Sequence, residues 1–309
     1  MDRREFVGGA LALAAVGCRT APKPTAVAKD GEDVLDVWQR ETDQVSAATY
    51  EAYMRDGDTR GLASLEKLEA GFEKVLREVK ETKAGDVPAV WSVYNMGYVV
   101  KTRESIFSID LVHRRALELA PMLDFALITH NHDDHYRMPF YQALDRAGKT
   151  VISNFLDNYG AADWRKYGQG GRPWYADGGF TRAEKTFKIK DVEISTSLVD
   201  HNAYLIDFTT AFEVSVGNWR LYHSGDCGIS SKLRTLGGVP DLWLFFPGCG
   251  VDVGDGVRRI RAKRTVFGHL WELGHSAGRL TTPMIRDAVK WAASAGAKAE
   301  VPLWGTRIS

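Results

Sequence analysis

Five residues of metal-ligating type fall within the short stretch His130-Asn131-His132-Asp133-Asp134-His135, four of them, His130, His132, Asp134 and His135, at the spacing of a ligand cluster. Imidazole nitrogens and carboxylate oxygens are the donors that hold zinc and its neighbouring divalent ions. The chain has only 8 histidines in 309 residues, so three in one loop point to a built site rather than to isolated core histidines. Further donors stand at His201, Asp226 and His269. Such a set could hold two cations, and a water between them would ionise near neutral pH and become a nucleophile. His275 competes with His269 for the last ligand position, and His269 has the better claim because it directly follows a strand-like run. His275 is then a candidate substrate-contacting or proton-donating group, as is Asp133.

The elements around these residues explain how they could meet. Residues 125–129 form an apolar run that ends directly in the histidine cluster, as a buried strand carrying a site at its C-terminal end would. His130 and His132 are two apart, so strand alternation turns both rings to one side. Runs 192–198, 219–223 and 265–267 likewise end just before His201, Asp226 and His269. Other strands are expected at 90–94, 97–102, 105–109, 186–189, 212–216, 242–246 and 299–304, with Gly217-Asn218 as a two-residue hairpin turn. Helices are expected at 114–119, at 256–263, and from Thr282-Pro283 to about residue 295. His223 sits within a strand and faces away from Asp226, so it reads as structural. His113 has no ligand-type neighbours and reads as a surface residue.

Upstream, residues 33–84 carry apolar side chains at helical steps, and Asp56-Gly57-Asp58 divides them into a predicted helical hairpin. Its charged positions read as solvated helix faces. Residues 158–180 are rich in aromatics, glycine and cations, suited either to lining a pocket or to packing against the body of the fold.

The first residues have the layout of an export signal: Arg3-Arg4-Glu5-Phe6, then an uncharged run of small and apolar residues too short to span a bilayer. The arginine pair resembles a twin-arginine signal, and Ala15-Val16-Gly17-Cys18 resembles a lipoprotein processing site that would lipidate Cys18 and attach the chain to a membrane. The expected division is therefore a signal peptide at 1–18, a linker at 19–32, the helical hairpin at 33–84 and a catalytic domain at 88–309, in an exported, periplasmic or cell-envelope protein. With Cys18 set aside, Cys227 and Cys249 remain, as a disulfide or as two buried thiols. Lys+Arg and Asp+Glu are both 40, so no basic field suggests a nucleic-acid partner. Hydrophobic content of 44% and charged content of 26% are those of an ordinary globular chain.

The histidine motif, followed in order by His201, Ser224-Gly225-Asp226 and His269, resembles the metallo-β-lactamase-fold superfamily, and within it the lactonase-like and phosphodiesterase-like hydrolases. The resemblance runs from about residue 88 to the C-terminus. It implies an α+β fold, a four-layer αββα sandwich. It also implies that His130, His132 and His201 hold one metal, that Asp134, His135 and His269 hold the second, and that Asp226 bridges them. Asp110 would brace the histidine loop. The expected cofactors are two divalent ions, zinc first and manganese or iron after it. Asp134, Asp226 and His275 are the expected catalytic group, acting with a metal-bridging hydroxide on a small, anionic ester, lactone or phosphodiester. A mononuclear-iron oxidoreductase and a non-catalytic envelope lipoprotein are the alternatives on the same scaffold.

Overall fold

Short apolar runs, most of them buried on both faces, build two sheets, which the computed structural model describes over residues 32–153, 185–274 and 279–309. The expected export signal, all of the linker but Glu32, segment 158–180 and His275 lie outside the described residues. The first sheet contains β1 (Ala89–Ser92), β2 (Tyr98–Lys101), β3 (Ile106–Ile109), β4 (Phe125–Leu127) and β5 (Thr150–Ile152), in that spatial order. Its first three strands pair antiparallel, whereas β3, β4 and β5 run parallel. The second sheet contains β6 (Thr186–Ile189), β7 (Val192–Val199), β8 (Thr209–Val216), β9 (Trp219–His223), β10 (Leu242–Phe245), β11 (Arg264–Phe267) and β12 (Ala299–Glu300), again in sequence order. Strands β6 to β9 form an antiparallel meander and β9 to β12 run parallel. Gly217-Asn218 closes the β8–β9 hairpin, as expected.

The sheets pack face to face. Val100, Phe107, Phe125 and Leu127 of the first share one buried cluster with Ile194, Phe212, Leu221 and Leu244 of the second. Their strand neighbours, Val99 and Ala126 on one sheet and Tyr222, Trp243 and Phe245 on the other, point outward into a second cluster shared with the helices. Each fully buried Phe or Leu contributes roughly 1.5–3 kcal/mol.

Six α-helices occur among the described residues: α1 (Val34–Asp43), α2 (Ala47–Asp56), α3 (Ala63–Glu81), α4 (Met138–Arg146), α5 (Val253–Ile260) and α6 (Thr282–Ser294). Helix α3 covers the first sheet, where Trp91 Nε1 donates to Glu78 at 2.8 Å and Lys101 Nζ donates to the Val79 carbonyl at 2.6 Å. Helix α5 covers the second, with Gly256 against Trp243 and Phe245. The architecture is the expected four-layer αββα sandwich. Among the described residues, no helix is long and apolar enough to cross a membrane.

Several expectations need correction. The N-terminal extension is three helices, not a hairpin. An additional break falls at Gln44–Ser46, where the Ser46 side chain accepts from the Thr49 amide and caps α2 without any glycine or proline. His113 is not a surface residue. Its ring stacks on Phe72 at 3.9 Å, its Nε2 lies 3.1 Å from the Tyr53 hydroxyl, and its side chain is fully buried. The helix expected at 114–119 is a single 3₁₀ turn, Ala116–Glu118. The strand expected at 299–304 stops at Glu300, and Trp304 instead packs against Trp38 and Tyr94, tying the extension to the sandwich.

Candidate metal centre

All seven expected ligands that the sequence reading assigned, His130, His132, Asp134, His135, His201, Asp226 and His269, meet at one edge of the sandwich. Strand β4 delivers the first four. Its last residues run into Thr129 and His130, and the loop then turns, with the amides of His135 and Tyr136 donating to the His132 carbonyl. Strand β7 ends just before His201, β9 just before Asp226, and β11 just before His269. The Asp226 loop can approach the histidine loop because residue 225 is glycine. A Cβ there would lie 2.5 Å from Thr209 Cγ2 and 3.0 Å from Thr129 Cβ, and the backbone has φ +53°.

Asp226 is the hub. Its carboxylate oxygens lie 3.9 Å from His130 Nε2, 3.3 Å from His135 Nε2, 3.7 Å from His201 Nε2 and 3.1 Å from His269 Nε2. Asp134 reaches His135 Nε2 at 3.3 Å and His269 Nε2 at 2.9 Å. His132 Nδ1 lies 3.0 Å from His130 Nε2. Two separate triads have ligand atoms close enough together to share an ion: His130, His132 and His201, and Asp134, His135 and His269. His130, His135 and Asp226 form a third grouping between them.

Hydrogen bonds behind the ligands fix which nitrogen faces inward. Asp110 accepts from the Thr129 amide at 2.7 Å, from Thr129 Oγ1 at 2.6 Å and from His135 Nδ1 at 2.8 Å. The Thr129 hydroxyl has given its one proton to Asp110, so His130 Nδ1, 3.0 Å away, must donate to it. Both His130 and His135 are thereby held with Nε2 toward the centre, as a ligand requires. Asp110 thus sits behind the histidine loop, where its expected bracing role would put it. Asn95 is a brace that the sequence did not reveal. Its Nδ2 donates to Asp134 at 2.6 Å, and its carbonyl accepts from the His269 amide at 3.1 Å. Phe246 stacks on His269 at 4.0 Å, and Phe208 lies against His130, His132 and His201. His223 donates to the Met96 carbonyl and accepts from the Gly225 amide, a structural position. Cys227 and Cys249 are free thiols rather than a disulfide.

The charges in this cluster are divided. Burial holds the pKa values of His130 and His201 below the ordinary histidine range and that of His132 at about 4. Burial acts the same way on His135 and His269, but the carboxylate of Asp226 leads a set that outweighs it. His135 is lifted well above its usual value and His269 to about 10. Burial also disfavours the charged forms of Asp134 and Asp226, yet the charge on His135 and then His269 holds both well below the carboxylate range. Asp134 Oδ1, His135 Nε2 and Asp226 Oδ1 are buried without a hydrogen-bond partner among the described residues. Buried polar atoms that make no hydrogen bond are costly, and the approach of His135 Nε2 to Asp226 Oδ1 at 3.3 Å, between the two donor triads, is an arrangement that divalent ions would fit.

Comparison with solved structures identifies the architecture. A protein from Bacillus subtilis, YhfI, described as a metallo-β-lactamase fold protein, superposes with a TM-score of 0.53 at 13% identity over 71% of this chain and 98% of its own. This is the metallo-β-lactamase fold. Igni18, described as a metallo hydrolase from the archaeon Ignicoccus hospitalis, matches with a TM-score of 0.52 at 17% identity over 72% of this chain and 97% of its own. CmlA, a diiron β-hydroxylase from Streptomyces venezuelae, matches with a TM-score of 0.51 at 14% identity over 72% of this chain and 53% of its own. The metallo-β-lactamase fold therefore hosts both hydrolytic and oxidative proteins among these neighbours, and the reaction must be argued from the site. No protein-family model matches the sequence.

Proposed function

We propose that this protein is a metal-dependent hydrolase that holds two divalent ions, zinc by preference, and cleaves a small ester, lactone or phosphodiester. The observation that carries the reading is the convergence of five histidines and two aspartates in adjoining donor groups, three of whose buried polar atoms make no hydrogen bond among the described residues. Ions bound there would supply an ionised water as nucleophile and polarise the attacked group. The chain's own side chains do the rest. His130, His132 and His201 form one donor set and Asp134, His135 and His269 the other, with Asp226 between them. Asp110 and Asn95 hold these donors so that little rearrangement is needed on binding. Two divalent ions, two carboxylates and one hydroxide leave a net charge of about plus one, which suits an anionic substrate or a group that becomes anionic in the transition state. His275 or Asp133 would pass the proton to the leaving group.

Imidazole and carboxylate donors suit zinc first, and manganese or iron after it. The experiment is a panel of lactone, phosphodiester, carboxylic-ester and β-lactam substrates offered to the zinc-loaded protein, beside Asp134→Ala and Asp226→Ala. Turnover of one class, reduced at least about 100-fold in both variants, is expected. A fully metallated protein inert to all four, yet active with iron and oxygen, would replace this reading with the oxidoreductase one. We further propose that the Arg3-Arg4 leader exports the chain and that Cys18 is lipidated. Cell fractionation of the wild type and of a Cys18→Ser variant tests both. Export predicts a periplasmic or envelope location, and lipidation predicts that Cys18→Ser loses the membrane fraction.

A further inference from the structure

One donor beside the centre has no place in the seven-ligand set. Cys249 stands in the loop after β10, and its Sγ lies 3.9 Å from His201 Nδ1. Donor atoms of His201, Asp226 and Cys249 all fall within 4.8 Å of one another. The loops that carry them are in close contact at Gly228, where a Cβ would sit 2.2 Å from the His201 carbonyl and 2.4 Å from that of Cys249. Asp226 Oδ1 is buried and has no hydrogen-bond partner among the described residues. The neighbouring thiol is different: Cys227 is buried and donates to the Ile229 carbonyl at 3.3 Å. Cys249 is only partly buried, so an incoming ion can reach it.

We propose that Cys249 is a further metal ligand, its thiolate closing a His201, Asp226 and Cys249 set that holds a thiophilic divalent ion. The proposal rests on the two-metal reading above. On ligation the S–H bond breaks, a sulfur–metal bond forms, the proton passes to the buffer, and nothing is oxidised or reduced. A nitrogen, oxygen and sulfur set prefers zinc, cobalt or cadmium to manganese or magnesium. The thiol therefore acts as the selectivity element of the centre, which imidazole and carboxylate alone would leave open to harder ions.

Cobalt substitution of the full chain tests this, because a thiolate on cobalt gives an intense near-ultraviolet charge-transfer band, separate from the weak visible bands that any bound cobalt shows. The expected result is the near-ultraviolet band in wild type and in Cys227→Ser, and its loss in Cys249→Ser with the visible bands kept. Cadmium affinity should fall by about 10-fold or more in Cys249→Ser, with manganese affinity changed by less than about 3-fold. Visible bands without the thiolate band in wild type overturn the ligand assignment and leave the two-metal reading intact. Absence of both sets of bands overturns both. Alkylation of wild type keeps the test independent of how the variant folds. Bound zinc should slow iodoacetamide modification of Cys249, located by peptide mapping, by about 10-fold or more, and an unchanged rate would reject the assignment.

Discussion

Loading the centre with zinc at neutral pH should expel protons, and the cluster's charges set how many. Without a cation, His135 and His269 are protonated, since the carboxylates of Asp226 and Asp134 lift His269 to about 10 and His135 well above its usual value. His130, His132 and His201 are neutral, and Asp134 and Asp226 are ionised. A divalent ion accepts only a lone pair, so His135 and His269 must each surrender the Nε2 proton. With its pKa raised to about 10, His269 carries its proton at pH 7. Filling the centre should therefore release about two protons from these rings. Ionisation of a metal-bridging water would add about one, and so would Cys249, whose share Cys249→Ser should remove. The assay is calorimetric titration of metal-free protein with zinc in buffers of different protonation enthalpy. The slope of observed enthalpy against buffer enthalpy gives the proton count. Affinity should also rise by roughly 10-fold per pH unit for each proton released, hence by at least roughly 100-fold over the unit above pH 7. Tight binding with no proton release, or an affinity flat across that range, would refute the assigned charges.

Three further outcomes follow from the same contacts. Asp110→Asn puts an amide where Thr129 and His135 both donate, and should lower zinc affinity by about 10–100-fold and stability by about 1–3 kcal/mol, read by metal competition and urea unfolding. Gly225→Ala adds a Cβ 2.5 Å from Thr209 Cγ2 at φ +53°; overpacking and the left-handed backbone together should cost about 2–4 kcal/mol in the same unfolding assay. Burial pushes His113 down to about 3 from an unfolded value near 6.5. A depressed pKa gives stability that is fully present above the unfolded value and lost as pH falls toward the folded one. Urea midpoints should therefore show a loss of about 2–3 kcal/mol between pH 6.5 and 4.5 that a His113→Gln variant does not share.

The candidate metal-ligating residues were legible because they stand in the loops that follow apolar runs, and strand ends on one edge of a sandwich are brought together by the topology. The strands were legible from those same runs, whereas the four-layer sandwich was implied by the resemblance that the histidine motif carries. What lay beyond the sequence depends on contacts between distant segments. Asn95 sits in the turn between β1 and β2 with no neighbouring signal, yet it holds both Asp134 and His269. His113 looked exposed because its partners, Tyr53 and Phe72, belong to helices far upstream. Helix α4 and strand β5 were missed, although Phe140, Tyr141 and Leu144 pack into the core. Their apolar stretches are short enough that neither period stands out over the other. The break before α2 was hidden for a related reason, since a serine cap interrupts a helix without changing the apolar pattern on either side.

The most direct test of the account is a count of metal per folded chain. Elemental analysis of the full-length protein, dialysed after zinc loading, should return two equivalents. Asp226→Ala should bring that below about one equivalent while circular dichroism stays native, because Asp226 touches four of the five ligand histidines. A natively folded protein that retains no zinc, or an Asp226→Ala variant that still retains two, would contradict the claim that these seven side chains form a dinuclear centre.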